Sequence, residues 1–357
     1  MDTISVSIYS IYLLSIFFAI FPNFLLNQKI FFLFWFLIIF CFSIVTRTFL
    51  EYEYVSDLQG YINIIEKNKI FFCSSIYECK DIYFSYYTRE IVFWGTLKLL
   101  YFISNNIYFT LVIFDLIISV LIYASVSQLQ SFSNNNFNIK NKQGYNYLRF
   151  LLIVLFPFLF GMQVVLRQYF AMALGLLAFT YLINSKRIKG SLFFILSCLS
   201  HNAAIVLLPF LYLFKNSILR RIFIFVSIVF VIYGVMNFAD NRHGLDLGSL
   251  RSFIMLSFIY ITATLIVFLL FVQKINIEFF YQYILEFYIS LIILTSTLYF
   301  LIPGNQFDRV SYFIFPSMLL LISFINETLL KYKTILRIFI IIVMIIFLFL
   351  YHPGIIF

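Results

Sequence analysis

Long unbroken apolar runs recur along the whole 357-residue chain. They fall at residues 4–21, 30–46, 107–129, 148–165, 169–184, 222–239, 253–272, 283–302, 310–325 and 338–351. Roughly 20 such residues carry a helix across a hydrocarbon core about 30 Å thick. Only 11% of the residues are charged and 63% are hydrophobic, with 22% aromatic. A water-soluble domain carries about 25% charged residues, so this chain lacks the polar surface to face water and its solvent is lipid. The reading is an all-α, polytopic transmembrane helix bundle of about ten full crossings, forming a single integral membrane domain over residues 1–357. The first run has no basic segment before it and no small-residue cleavage site after it, so it is expected to stay as a membrane helix.

The net charge of +9 would, in a soluble protein, raise the question of nucleic acid. Here lysine and arginine collect in short loops between apolar runs, as the positive-inside rule requires, and no nucleic-acid partner is expected. Clusters at Lys140/Lys142/Arg149, Lys186/Arg187/Lys189, Lys215/Arg220/Arg221 and Lys331/Lys333/Arg337, with Lys29 and Lys274, all reach the cytoplasmic side if the N-terminus is outside. That choice makes two apolar segments irregular. Residues 191–214, basic at both ends and interrupted by Ser200-His201-Asn202 and Pro209, should enter and return as two short helices with His201 at the turn. Residues 91–103, carrying Lys98, should lie in the interface or re-enter. Broken helices at membrane depth persist only where they line a cavity or are buried in protein, so both segments point at a site.

The same topology leaves Arg47, Arg89, Arg167, Arg242, Arg251 and Arg309 on the outer side, against the charge bias. A guanidinium grips phosphate or carboxylate through two parallel N–H bonds, which lysine cannot do, and the arginines therefore suggest an anionic ligand. The long outer loop 47–90 holds acids, bases and many tyrosines; loops of that length are functional or disordered. Cys73 and Cys79 lie in it as CSSIYEC, where an extracytoplasmic position permits a disulfide. Cys41 and Cys198 sit in apolar helices and read as small packing residues. The stretch 131–143, SFSNNNFNIKNKQ, reads as a solvated cytoplasmic loop. Asp115 and Glu286, inside apolar runs, read as structural hydrogen-bonding groups between helices.

Three outer-side constellations carry chemistry: RTFLEYEYVSDLQGYINI from Arg47, GMQVVLRQYFAMALG from Gly161 with CLSHNAA from Cys198, and NQFDRVSYF from Asn305. In them stand Asp57 and Tyr61, Arg167-Gln168 with Ala171 and Ala173, His201, and Arg309 with Tyr312 and Phe313. Together these resemble the bacterial polysaccharide polymerases of the Wzy type, in particular the EpsG-like group. The tyrosine after Arg309 stands one place earlier than the pattern has it. The resemblance implies an inner-membrane glycosyltransferase of O-antigen, lipopolysaccharide or capsule assembly. Its substrates would be oligosaccharide repeat units on a polyprenyl (undecaprenyl) pyrophosphate carrier, with a separate chain-length co-polymerase as a further partner.

That chemistry assigns the residues. A departing pyrophosphate builds negative charge where the dielectric is low and a fixed cation is most effective, which suits Arg167 and Arg309. The acceptor hydroxyl loses a proton as it attacks, so a carboxylate or imidazole serves as general base, and Asp57 and His201 are the candidates. Arg47, Tyr61, Arg89, Glu90, Gln168, Arg242, Arg251 and Tyr312 are expected to bind pyrophosphate or glycan. Plainer readings stand beside each. Arg167 can snorkel to headgroups, His201 can be a hydrogen-bonded core residue, and Asp57 can be one of several solvated acids with Glu51 and Glu53. Arg89 and Glu90 can pair with each other, Arg309 can pair locally beside a capping Asp308, and Arg242 and Arg251 can be ordinary loop residues. No HExxH, CxxC, Walker or GxSxG pattern occurs, so neither a metal nor a cofactor is expected. Three other functions are compatible: a GT-C-type transferase using a polyprenyl-phosphate sugar, an O-antigen ligase, and a flippase of the same carrier lipid.

Overall fold

The computed structural model describes residues 28–48, 90–137, 166–212, 218–238 and 292–301, with Ile65, Leu256, Ser257, Tyr260, Ile261, Thr264, Ser290, Phe313, Ile338 and Ile342 as single or paired positions. Every described element is a helix: α1 (Gln28–Thr48), α2 (Ile91–Ser104), α3 (Ile107–Phe137), α4 (Leu166–Ile183), α5 (Arg187–Ser200), the 3-10 helix η1 (Asn202–Tyr212) and α6 (Ile218–Phe238). Among the described residues, two helices are long and apolar enough to span a bilayer, Ile107–Leu129 and Leu166–Ile183. The expected crossings at 4–21 and 148–165 lie outside the described residues, as does the Cys73–Cys79 pair; those beyond residue 250 are described only in part.

Polarity is distributed as lipid demands. Large apolar side chains are exposed at helical spacing: Leu33, Leu37 and Phe40 on α1, Ile188, Leu192, Ile195 and Leu199 on α5, and Phe225, Val226, Val229, Phe230 and Tyr233 on α6. Small polar groups turn inward instead, among them Ser43, Ser119, Thr180, Ser197, Ser200 and Ser227. Lipid tails are as apolar as leucine, so membrane helices associate through close packing of small residues and hydrogen bonds between them. Cys41 departs from the packing role expected of it, because its side of α1 faces outward; Cys198 is half-buried.

The α4–α5 hairpin is the tightest example. Ser197 Oγ on α5 donates to the carbonyl of Ala171 on α4 at 2.5 Å. A Cβ at Gly190 would meet Leu182 and lie 3.2 Å from the carbonyl oxygen of Ala178, so only glycine lets the start of α5 approach α4. Gly175 plays the same part against Leu207 of η1. The turn between the helices places Ser185 at φ 59°. Asn184 Nδ2 bonds the carbonyls of Gln128 and Thr180, and Lys186 Nζ donates to Gln128 Oε1 at 3.0 Å, tying this turn to the far part of α3.

Helix α2 has 14 residues, about 21 Å at 1.5 Å per residue, short of the length of a full crossing. It buries Phe93, Trp94 and Leu97 and exposes Leu99, Phe102 and Ile103. Asn105 ends it in the left-handed conformation at φ 50°, its N–H bonding the Tyr101 carbonyl. Asn106 Oδ1 then accepts from the Phe109 N–H at 3.0 Å and caps α3. Helix α3 corrects one expectation: it continues through Ser131–Phe137, within the stretch read as a loop. No glycine or proline interrupts residues 107–137, and adding a residue to an existing helix is far easier than starting one.

The segment expected to be broken does break at His201. Helix α5 stops at Ser200, His201 is extended at φ −160° and ψ 126°, and η1 follows. Pro209, inside η1, has no N–H to continue an α-helical ladder.

Candidate functional site

Three chain segments far apart in sequence meet where α2 and α4 begin and α5 ends. Glu90 precedes α2, Arg167 is the second residue of α4, and His201 is the break after α5. Arg167 Nη1 donates to Glu90 Oε2 at 2.9 Å, and His201 Nε2 lies 3.8 Å from Glu90 Oε1. The carboxylate is nearly enclosed, with 9% of its side chain exposed, against 14% for His201 and 24% for Arg167. The acid is thus the most enclosed member of the cluster and the cation the most exposed.

Local structure fixes each member. The His201 ring turns back on its own chain, its Nδ1 accepting the N–H of Ala203 at 3.1 Å, while its backbone N–H bonds the Ser197 carbonyl and its carbonyl accepts from Ala204. The imidazole thus caps η1, as a serine or asparagine caps an α-helix. Because Nδ1 is an acceptor here, the neutral ring carries its proton on Nε2, the nitrogen facing Glu90. Glu90 is anchored by its carbonyl, which accepts from the Trp94 N–H at 3.1 Å. Aromatic rings join α2, α3 and α4, Phe93 with Phe114 and Phe114 with Phe170 at centroid distances of 5.6 and 4.9 Å, and the Phe313 ring lies 6.0 Å from that of His201.

Gln168, next to Arg167, is buried, and its Oε1 has no hydrogen-bond partner among the described residues. Most buried polar atoms are satisfied, so this oxygen marks a place where a donor group belongs.

Arg47 stands elsewhere. It is 1% exposed and forms a bidentate pair with Asp115, Nε to Oδ2 at 2.9 Å and Nη2 to Oδ1 at 2.8 Å, with Ser43 Oγ also donating to Asp115. The guanidinium expected to face a ligand instead joins α1 to α3, which gives Asp115 the interhelical role expected of it, as one partner of an ion pair. Neutralising Asp115 this way removes the penalty of an isolated charge in an apolar interior.

Arg167, His201 and Glu90 are therefore brought together. Glu90 meets Arg167, where the sequence offered Arg89 as its partner. Asp57, Tyr61, Arg89, Arg242, Arg251, Arg309 and Tyr312 lie outside the described residues. Among the described residues no group of three or more histidines, cysteines or acids is placed to hold a metal.

No curated protein and no solved structure matches the chain. The model of the EpsG family does, over residues 34–354, a span that takes in most of α1, all of α2 through α6 and the whole Glu90–Arg167–His201 cluster. That match is consistent with a membrane protein of polysaccharide biosynthesis and a polymerase-like, glycosyltransferase-like activity, and by it the chain belongs to the EpsG family.

Proposed function

We propose that the protein polymerises oligosaccharide repeat units carried on polyprenyl pyrophosphate, at the extracytoplasmic face of the bacterial inner membrane. The observation that carries this reading is the Glu90–Arg167–His201 cluster, a cation, an acid and an imidazole held at one end of an outwardly apolar helix bundle. In the reaction the acceptor hydroxyl attacks the anomeric carbon of the donor chain. The bond to the carrier phosphate breaks, and its electron pair leaves with the pyrophosphate. Arg167, the most open of the three, faces the side from which an anion arrives, and a fixed cation in a low-dielectric site stabilises charge as it develops. Arg309 is proposed as a second contact for the diphosphate, and Asp57, Tyr61, Arg242, Arg251 and Tyr312 as contacts from the outer loops. Gln168 presents a carbonyl oxygen, which suits a sugar hydroxyl or amide rather than a phosphate oxygen, since phosphate oxygens only accept. A chain-length co-polymerase would act from outside this chain.

The decisive experiment is reconstitution of the purified protein in lipid bilayers with one defined lipid-linked repeat unit. A ladder of longer lipid-linked chains is expected. Unchanged substrate overturns the proposal, and, in a parallel reaction supplied with lipid A core, transfer of a single unit only to that core replaces it with ligation.

A further inference from the structure

We propose that Glu90 takes the proton from the acceptor hydroxyl, with His201 and Arg167 as its positioning partners. The inference rests on the polymerase reading above. The arrangement of His201 comes first. Its Nδ1 lone pair is occupied by the Ala203 N–H at 3.1 Å, which leaves the ring proton on Nε2, the nitrogen 3.8 Å from Glu90 Oε1. An imidazole so held offers an incoming hydroxyl a donor and no lone pair.

The second argument is the gap between His201 and Glu90. At 3.8 Å, Nε2 and Oε1 are too far apart for a direct hydrogen bond. A hydroxyl oxygen about 2.8 Å from each atom spans that gap. It accepts from the imidazole N–H and donates its own proton to the carboxylate, which fixes one orientation for the attacking oxygen. The other carboxylate oxygen is held by Arg167 at 2.9 Å, so the acid cannot rotate away.

Arg167 also couples the two substrates. An incoming diphosphate competes with Glu90 for the same guanidinium, the more open member of the pair. A carboxylate that loses its counter-ion in a site of low dielectric binds a proton more strongly. Donor arrival therefore draws Arg167 off Glu90 at the moment an acceptor sugar is needed. The balance is closed: the O–H proton goes to Glu90, the new bond joins the acceptor oxygen to the anomeric carbon, and the old bond's electron pair leaves on the pyrophosphate.

The test uses full-length protein in bilayers with a defined lipid-linked repeat unit, comparing wild type with Glu90→Gln and Glu90→Asp. Glu90→Gln keeps an oxygen for Arg167 and is expected to lower kcat by roughly 10²–10⁴-fold, the usual worth of a general base, with donor KM at or below wild type because a neutral amide competes less for the guanidinium. Wild type is expected to lose rate at low pH; Glu90→Gln is expected to abolish that fall, while Glu90→Asp keeps part of the rate and the acid limb. A Glu90→Gln enzyme within about threefold of wild-type kcat, with an unchanged pH profile, overturns the proposal. So does a loss confined to KM. If Glu90→Gln does not fold, a wild-type profile with no acid limb, or a Glu90→Asp profile without one, overturns it as well. Absence of any polymer from wild type strikes the polymerase reading, whereas equal polymer from wild type and Glu90→Gln strikes only the role of Glu90.

Discussion

Gln168 is 2% exposed, and the side-chain oxygen of its amide has no hydrogen-bond partner among the described residues. Replacing it with methionine removes an unsatisfied buried acceptor, which costs about 1–3 kcal/mol when left unmade. Gln168→Met is therefore expected to raise the melting temperature in detergent and at the same time to reduce polymer formation; full activity would show that the amide meets no substrate. The Arg47–Asp115 pair makes the opposite prediction. Arg47→Ala leaves an uncompensated buried carboxylate and is expected to destabilise by about 3–5 kcal/mol. The double change Arg47→Met with Asp115→Leu should recover most of the melting temperature and retain long glycan chains, and short chains from a stable double variant would return Arg47 to the substrate site. The sequence marked Arg47 as an outer arginine for pyrophosphate or glycan and Asp115 as an acid in an apolar run. Nothing in residue spacing says that two charges 68 positions apart neutralise each other, because that depends on how α1 lies against α3. His201 and Arg167 were legible for a different reason: each sits at a break or an end of an apolar run, where a polar side chain is worth its burial only if something meets it.

At the scale of elements, the hairpin of α4 and α5 depends on the absence of side chains. Gly190→Val would press against Leu182 and the Ala178 carbonyl, and overpacking of this kind costs about 1–3 kcal/mol. A lower melting temperature is expected, with the 184–189 turn becoming more open to proteolysis; an unchanged melting curve would mean that α5 can slide on α4 without loss. The hydrophobic pattern located α1 through α6 to within a few residues, since run length and flanking charge decide where a membrane helix starts. It missed the continuation of α3 to Phe137. Asparagine-rich sequence in water reads as loop, but once 24 residues of helix precede it, extension adds a hydrogen bond per residue without a new nucleus.

For the whole molecule, the structure links ends that charge alone had grouped. Gln128 on α3 bonds both Asn184 and Lys186, so the asparagine-rich end of α3 and the basic turn at 186–189 belong to one side. The Arg167 end of α4 is the other, 17 residues or about 25 Å away along the helix. In a cysteine-free background, a cysteine at Asn135 should resist an impermeant reagent added outside, and one at Ser249 should react. Reversed labelling would turn the bundle over and put the Glu90 cluster on the cytoplasmic side. Architecture was legible because lipid imposes a length and a charge rule on each run; the partner of each buried charge was not, because partners are set by packing. The first turn of α4 carries the most of both. Arg167 reaches Glu90, Gln168 keeps an unmet oxygen, Tyr169 lies in the field of Arg47 and Asp115, and Phe170 touches Phe114. Inserting a single residue inside the helix, just after Phe170, would swing every one of these by 100° relative to the rest of α4, handing each side chain its neighbour's address, so natural length variation has no room there and must be absorbed in the flanking connections.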